Sequence, residues 1–250
     1  MARSAFLSLF FLVLAIGAAP AVNVDNDYRD ALSLFQRRDV VSCQKTIVLL
    51  EKILERKADH TDSQALIAYA YAHQAFILSQ LGESGTDYLN SAEAFSKAVL
   101  AQQPQNSFAR KAKLLLQLIS GNAAEVRKTL EIEVTDKETD ADLWYMLAVS
   151  GDADKATKPL ATALTLNADL VWIYSDMAFR AMKMGDLATA EKWQRALEAR
   201  KPGIADADLI KAVLAAQKQD KKTAQSMWGE FARKAPEFPL VARFSGRARK

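Results

Sequence analysis

The sequence predicts an all-α solenoid of about six helix-turn-helix units, and three observations carry that expectation. "GDLATAEKWQRALEARKP" (Gly185 to Pro202) and "QDKKTAQSMWGEFARKAP" (Gln219 to Pro236) align without a gap, so that Asp186, Thr189, Ala190 and Pro202 recur 34 residues later as Asp220, Thr223, Ala224 and Pro236. A fixed offset of that size marks stacked units, each burying its apolar face against a neighbour. Composition agrees, because 9 Gly and 6 Pro in 250 residues are too few to punctuate an all-β fold, while Ala, Leu, Lys, Glu and Gln fill long runs. Helix punctuation falls in register with the repeat: Gly185 ends one helix, Asp186 suits the N-cap of the next, and Pro202 stops it.

Taken in order, residues 1–21, "MARSAFLSLFFLVLAIGAAPA", carry one positive charge at Arg3, an apolar stretch from Ala5 to Ile16, and a small-x-small ending at Ala19-Pro20-Ala21. That is the anatomy of a secretory signal peptide cleaved after Ala21, with an uncleaved anchor as the alternative, and it predicts a periplasmic or secreted protein. Residues 22–240 hold the repeats. The first has "RDVVSC" (Arg38 to Cys43), with Cys43 at the small-residue place that Ala190 occupies in the opening pair. The second keeps Ala92-x2-Phe95-x2-Ala98-x5-Pro104 after a stretched turn, "GESGTDYLN". The third is "GNAAEV" (Gly121 to Val126), and the fourth, "GDADKA" (Gly151 to Ala156), follows it by 30 residues. That shortened offset predicts a short helix around "DLWYMLAVS", and Pro159 should either kink the next helix or delay its start. In the fifth unit Tyr174, Met177, Ala178 and Ala181 form an apolar stripe on a helix from Asp169 to Met184, and the sixth has its turn and second helix from Gln219. Residues 241–250 read as a basic flexible tail with Arg243, Arg247, Arg249 and Lys250, either solvated or in contact with an anionic surface.

A 34-residue helical hairpin with a small residue opening its second helix, an aromatic beyond it and a closing Pro resembles the tetratricopeptide repeat (TPR) family. The family's first-helix pattern of an aromatic, then Leu-Gly, then Tyr stands here as Tyr174, Met177-Ala178 and Ala181, so Ala replaces the Gly and the second aromatic. The resemblance implies that first helices line a concave inner surface, that extended or helical peptides bind there, and that the protein works as a scaffold without catalysis.

Motifs for chemistry are sparse. His60 and His73 lie thirteen residues apart without an HExxH pattern or a Cys partner, so neither is expected to hold a metal. Asp25, Asp27 and Asp30 start like a calcium loop, but the Gly and the closing Glu are missing, which leaves helix capping. The acidic string "EIEVTDKETDAD" (Glu131 to Asp142) reads as a solvated connector whose Asp140 and Asp142 suit the start of a helix, and "LEIEVT" (Leu130 to Thr135) is the only alternating run. Cys43 has no partner for a disulfide and reads as a small buried residue. No phosphate loop or catalytic motif calls for a cofactor. Without residues 1–21 the net charge is +2, which gives no nucleic-acid footprint, and no Asn-x-Ser/Thr sequon occurs, which favours a bacterial envelope.

The candidate site is a surface. Trp172, Ser175, Asp176, Phe179 and Lys183 form a second line on the fifth unit's first helix, opposite its core stripe. Tyr145 and Val149 take the equivalent line one unit earlier, and Tyr69, His73 and Phe76 make a similar line in the second unit. Two readings are open: these residues pack against the neighbouring unit, or they line a groove for a protein or peptide partner. The expected function is an exported binding scaffold with no nucleic-acid partner and no stable membrane insertion. An accessory factor for an envelope complex and a helical cell-wall hydrolase are the alternatives.

Overall fold

The computed structural model describes residues 24–244. The expected signal segment lies outside the described residues, as does the tail beyond Phe244. Six helical hairpins follow one another: α1 (Val24–Gln36) with α2 (Val40–Arg56), α3 (Thr61–Gln80) with α4 (Thr86–Gln102), and α5 (Ser107–Ile119) with α6 (Ala123–Asp136). The second half continues with α7 (Ala141–Val149) and α8 (Ala153–Leu166), α9 (Val171–Lys183) and α10 (Leu187–Arg200), then α11 (Ala205–Gln217) and α12 (Lys221–Lys234). A short α13 (Pro239–Phe244) closes the stack, so the start of the expected tail is helical. No strand occurs among the described residues.

The turn inside each hairpin explains the repeat. Gly121 and Gly185 adopt left-handed backbone, with φ of 84° and 77°, and the equivalent places in the first and last hairpins are filled by Arg38 (φ 58°) and Gln219 (φ 63°). A side chain in that conformation costs roughly 1–2 kcal/mol, so Arg38 is retained there against a local penalty. One residue on, Asp39, Asp186 and Asp220 accept hydrogen bonds from the amides of Ser42, Thr189 and Thr223, satisfying orphan donors of the second helices.

The small-residue place is buried in four hairpins, at Cys43, Ala92, Val126 and Ala190. Two turns further, Leu50, Val99, Ala163, Leu197 and Phe231 are completely buried, one per second helix. The third hairpin puts Glu133 at that place, paired with Arg110.

Two expectations need correction. The acidic string is not a connector: its first six residues finish α6, and the alternating "LEIEVT" lies within that helix, where Leu130, Glu133 and Val134 are buried at i, i+3 and i+4 while Ile132 is 69% exposed. Asp142 is not solvated either; Asp140 caps α7 through the amides of Asp142 and Leu143, and Asp142 turns inward. The helix around "LWYML" is short, at nine residues, and Pro159 lies inside α8 without delaying its start at Ala153.

The superhelix is tight enough for its ends to meet. Beyond the contacts between successive helices, α3 touches α9 and α2 touches α11. In consequence α3 runs through the middle of the molecule, and every residue from Ala65 to Leu78 is buried. That is why its sequence is apolar on all sides and lacks the single stripe of a surface helix.

Candidate functional site

The inner face is built by the first helix of successive hairpins together with the turn between α1 and α2. Left-handed backbone at Arg38 aims its guanidinium inward, where it lies 4.7 Å from the ring centres of both Phe35 and Trp172. One Nη donates to Asp142 at 3.1 Å, and Lys111 Nζ donates to the same carboxylate oxygen at 3.0 Å and pairs with Asp140 at 2.8 Å. Buried ions of this kind survive only in pairs. Burial would raise the Asp142 pKa, but Arg38 and Lys111 hold it below the ordinary carboxylate range. Burial would lower the Lys111 pKa, and the two carboxylates lift it above its usual value.

Next to this cluster, His73 stacks on Trp172, and Tyr69 meets the same indole edge to face at 5.7 Å. Burial, with Arg38 adding to it, pushes the His73 pKa well down, so the imidazole is neutral. Asp176 pairs with Arg180 at 2.6 Å one turn along α9, and the Tyr145 phenol is held protonated by burial and by the nearby Asp176.

The seam between the ends of the molecule is polar as well. Asp206, in the first turn of α11, accepts from the Val40 amide at 3.1 Å and from the Ser175 hydroxyl at 3.4 Å. The N-terminus of α2 thus takes a carboxylate from a residue 166 positions later, the charge that a helix start favours. Burial, and then the neighbouring Asp39, raise the Asp206 pKa to about 7. At the other end of α9, Lys183 donates to the Ser79 carbonyl at 3.3 Å and to Gln80 at 3.0 Å, tying α9 to the end of α3.

These contacts place all ten sequence-predicted residues. Trp172, Ser175, Asp176, Phe179, Tyr145, Val149, Tyr69, His73 and Phe76 are buried, and only Lys183 is exposed. The structure brings seven of them, all but Val149, Tyr69 and Lys183, around one void of about 10 Å³ between α3, α7 and α9. A void that size admits no more than a single water. Of the two readings of this line, packing against a neighbouring unit accounts for the buried side chains: the tight pitch brings α9 against α3, and the two aromatic lines fill the space between them. The second apolar face of α9 was visible in the sequence, but what covers it was not. Sequence reasoning missed Arg38, Lys111 and Asp142, which stand far apart in the chain. The one available signal was an Arg at a place where other hairpins have Gly. Cys43 is buried, with its thiol 3.6 Å from the Ala70 carbonyl and its pKa pushed up to about 12 by burial. His60 caps α3 by accepting from the Ser63 amide, and no group of metal-ligating side chains occurs among the described residues.

No family model matches the chain, and no curated protein is similar to it in sequence. Among solved structures it is similar to a chain of the APC/C hetero-tetramer Cut9-Hcn1, with a TM-score of 0.53 and 19% identity over 85% of its own length. It spans 38% of that longer chain. It is also similar to the structure titled as the functional characterization of Pseudomonas aeruginosa pilF, at 17% identity over 90% of this chain and 97% of that one; the TM-score of 0.42 adds nothing to the fold assignment. The hairpin stack and the first of these likenesses agree with the resemblance carried by the sequence: the chain folds as a TPR-like α-solenoid.

Proposed function

We propose that the chain is an exported scaffold that holds a protein partner and performs no chemistry of its own. The observation that carries this reading is the solenoid: hairpins stacked one on the next build an extended repeat surface, a shape suited to contact with another chain. The similar solved chain belongs to a hetero-tetramer, which fits a fold used for assembly. Export rests on the sequence of residues 1–21, and no helix among the described residues is long and apolar enough to cross a membrane. Chemical cross-linking of the full chain in the cells that make it, followed by mass spectrometry, should return a reproducible protein partner. Amino-terminal sequencing of the same sample should begin at Val22. A chain that still carries Met1 and cross-links to nothing refutes the proposal.

A further inference from the structure

Closure of the superhelix creates a second surface, away from the inner face. On α2, Val41, Gln44, Lys45, Val48, Leu49 and Lys52 fall at i, i+3, i+4, i+7, i+8 and i+11. This stripe lies opposite Cys43, Ile47 and Leu50, which pack in the core. A helix with one face in the core ordinarily keeps the other polar, yet Val48 is 43% exposed here. Lys234, the last residue of α12, and the three residues after it, to Glu237, stand across from it, and the two walls enclose a cleft of about 360 Å³. Its floor is apolar, from Val48 and Leu49 on one side to Ala235 and Pro236 on the other.

Three cations and one carboxylate line the cleft, Lys45 and Lys52 on α2 with Lys234 and the exposed Glu237 opposite, and they are not equally engaged. Lys234 is engaged by Asp208 and by the Gly203 carbonyl. Lys45 and Lys52 are exposed, and among the described residues neither has a carboxylate within ion-pair reach. Seven residues along a helix separate them by about 10.5 Å, and in an extended chain the side chains that share a face recur every two residues, about 6.6 Å, so a five-residue stretch places its two end side chains about 13 Å apart, within reach of both flexible lysines. A helix is about 10–12 Å wide and would ride above a cleft of this volume, whereas one large apolar side chain would sit inside it.

We propose that this cleft docks an extended acidic segment of a protein partner, with an apolar side chain on Val48 and Leu49 and, two residues to either side of it on the same face, carboxylates on Lys45 and Lys52. The proposal rests on the scaffold reading and names the chemistry of its partner. The test uses a fluorescein-labelled eight-residue peptide containing Glu-Ser-Phe-Ser-Glu, titrated with the full chain and read by fluorescence anisotropy. Saturable binding is expected, at least ten-fold weaker in K45E/K52E, with the preference reversed for the Lys-Ser-Phe-Ser-Lys peptide. Both lysines are exposed, so the variant keeps its melting temperature. Failure of the first peptide to bind, or equal binding by the variant, overturns the proposal. So does a concentration-dependent dimer that K45E/K52E abolishes, since the cleft would then belong to a second copy. Partners cross-linked equally by wild type and variant overturn the cleft while leaving the scaffold standing. A chain that binds the peptide as described but has no cross-linked partner supports the cleft and refutes the scaffold.

Discussion

Replacing Asp142 with Asn removes one charge from the middle of the molecule and leaves the shape almost unchanged. In the native chain this carboxylate lies 3.1 Å from Arg38 and 3.0 Å from Lys111, with side-chain exposures of 4%, 12% and 8% respectively. Lys111 retains Asp140, but Arg38 loses the one carboxylate it pairs with among the described residues while it remains wedged between Phe35 and Trp172. Breaking a buried pair in this way costs about 3–5 kcal/mol. For a chain of this size that corresponds to a fall in melting temperature of roughly 6–20 °C. Urea unfolding followed by far-UV circular dichroism measures it directly. The sign with pH is also fixed. Because Asp142 titrates below its unfolded value, its contribution is present above about pH 4 and is lost as pH falls through the folded pKa, so the variant should lack that part of the acid limb. The double variant Arg38→Met with Asp142→Leu removes both ions and should come close to wild type. If Asp142→Asn unfolds within 1 kcal/mol of wild type, the cluster does not hold the inner face and the reasoning fails.

Other consequences can be tested on the same footing. Trp172→Ala and Phe179→Ala should each cost about 3–5 kcal/mol, because both rings are buried between α9 and α3; a variant that melts normally and loses its partner would return both residues to a contact surface. Asp206, raised to about 7, stabilises the fold fully below the unfolded carboxylate pKa near 4, and that contribution is lost as pH rises to 7. Over that window the loss is of order 4 kcal/mol, and Asp206→Asn should flatten it in melting curves taken at successive pH values.

The hairpins were legible because their punctuation is local. Gly185, Asp186 and Pro202 act within a few residues of themselves, and the helices end where those residues place them, to within a residue or two. Superhelical pitch is not written locally. It depends on small rotations between neighbouring hairpins, and a few degrees in each decide whether the two ends meet or miss. The line through Trp172 and Phe179 was therefore readable as a second apolar face, while its covering by α3 was not. Arg38 shows the same limit. Its position in a turn of the Gly121 and Gly185 kind was readable, but its partner at Asp142 lies 104 residues away. The acidic string misled because six acids around Lys137 look solvated on charge alone, whereas Glu133 and Asp142 each face a basic partner supplied by α5.

The bond between the Val40 amide and Asp206 bears on the order in which the molecule is completed. An open solenoid can add hairpins one by one, each finished when its neighbour arrives, and contacts of short range make such chains quick to fold. Here the first turn of α2 waits for a carboxylate 166 residues later, and the closing of so long a loop comes after most of its entropy cost has been met by the hairpins between. A nascent chain that has reached Arg200 has ten of its helices but neither α11 nor the far wall of the α2 cleft. Folding to the closed form therefore becomes available only once α11 has been made, and fraying of the first hairpin and fraying of the last should be a single event, visible as matched hydrogen-exchange rates in the buried amides of α2 and α11.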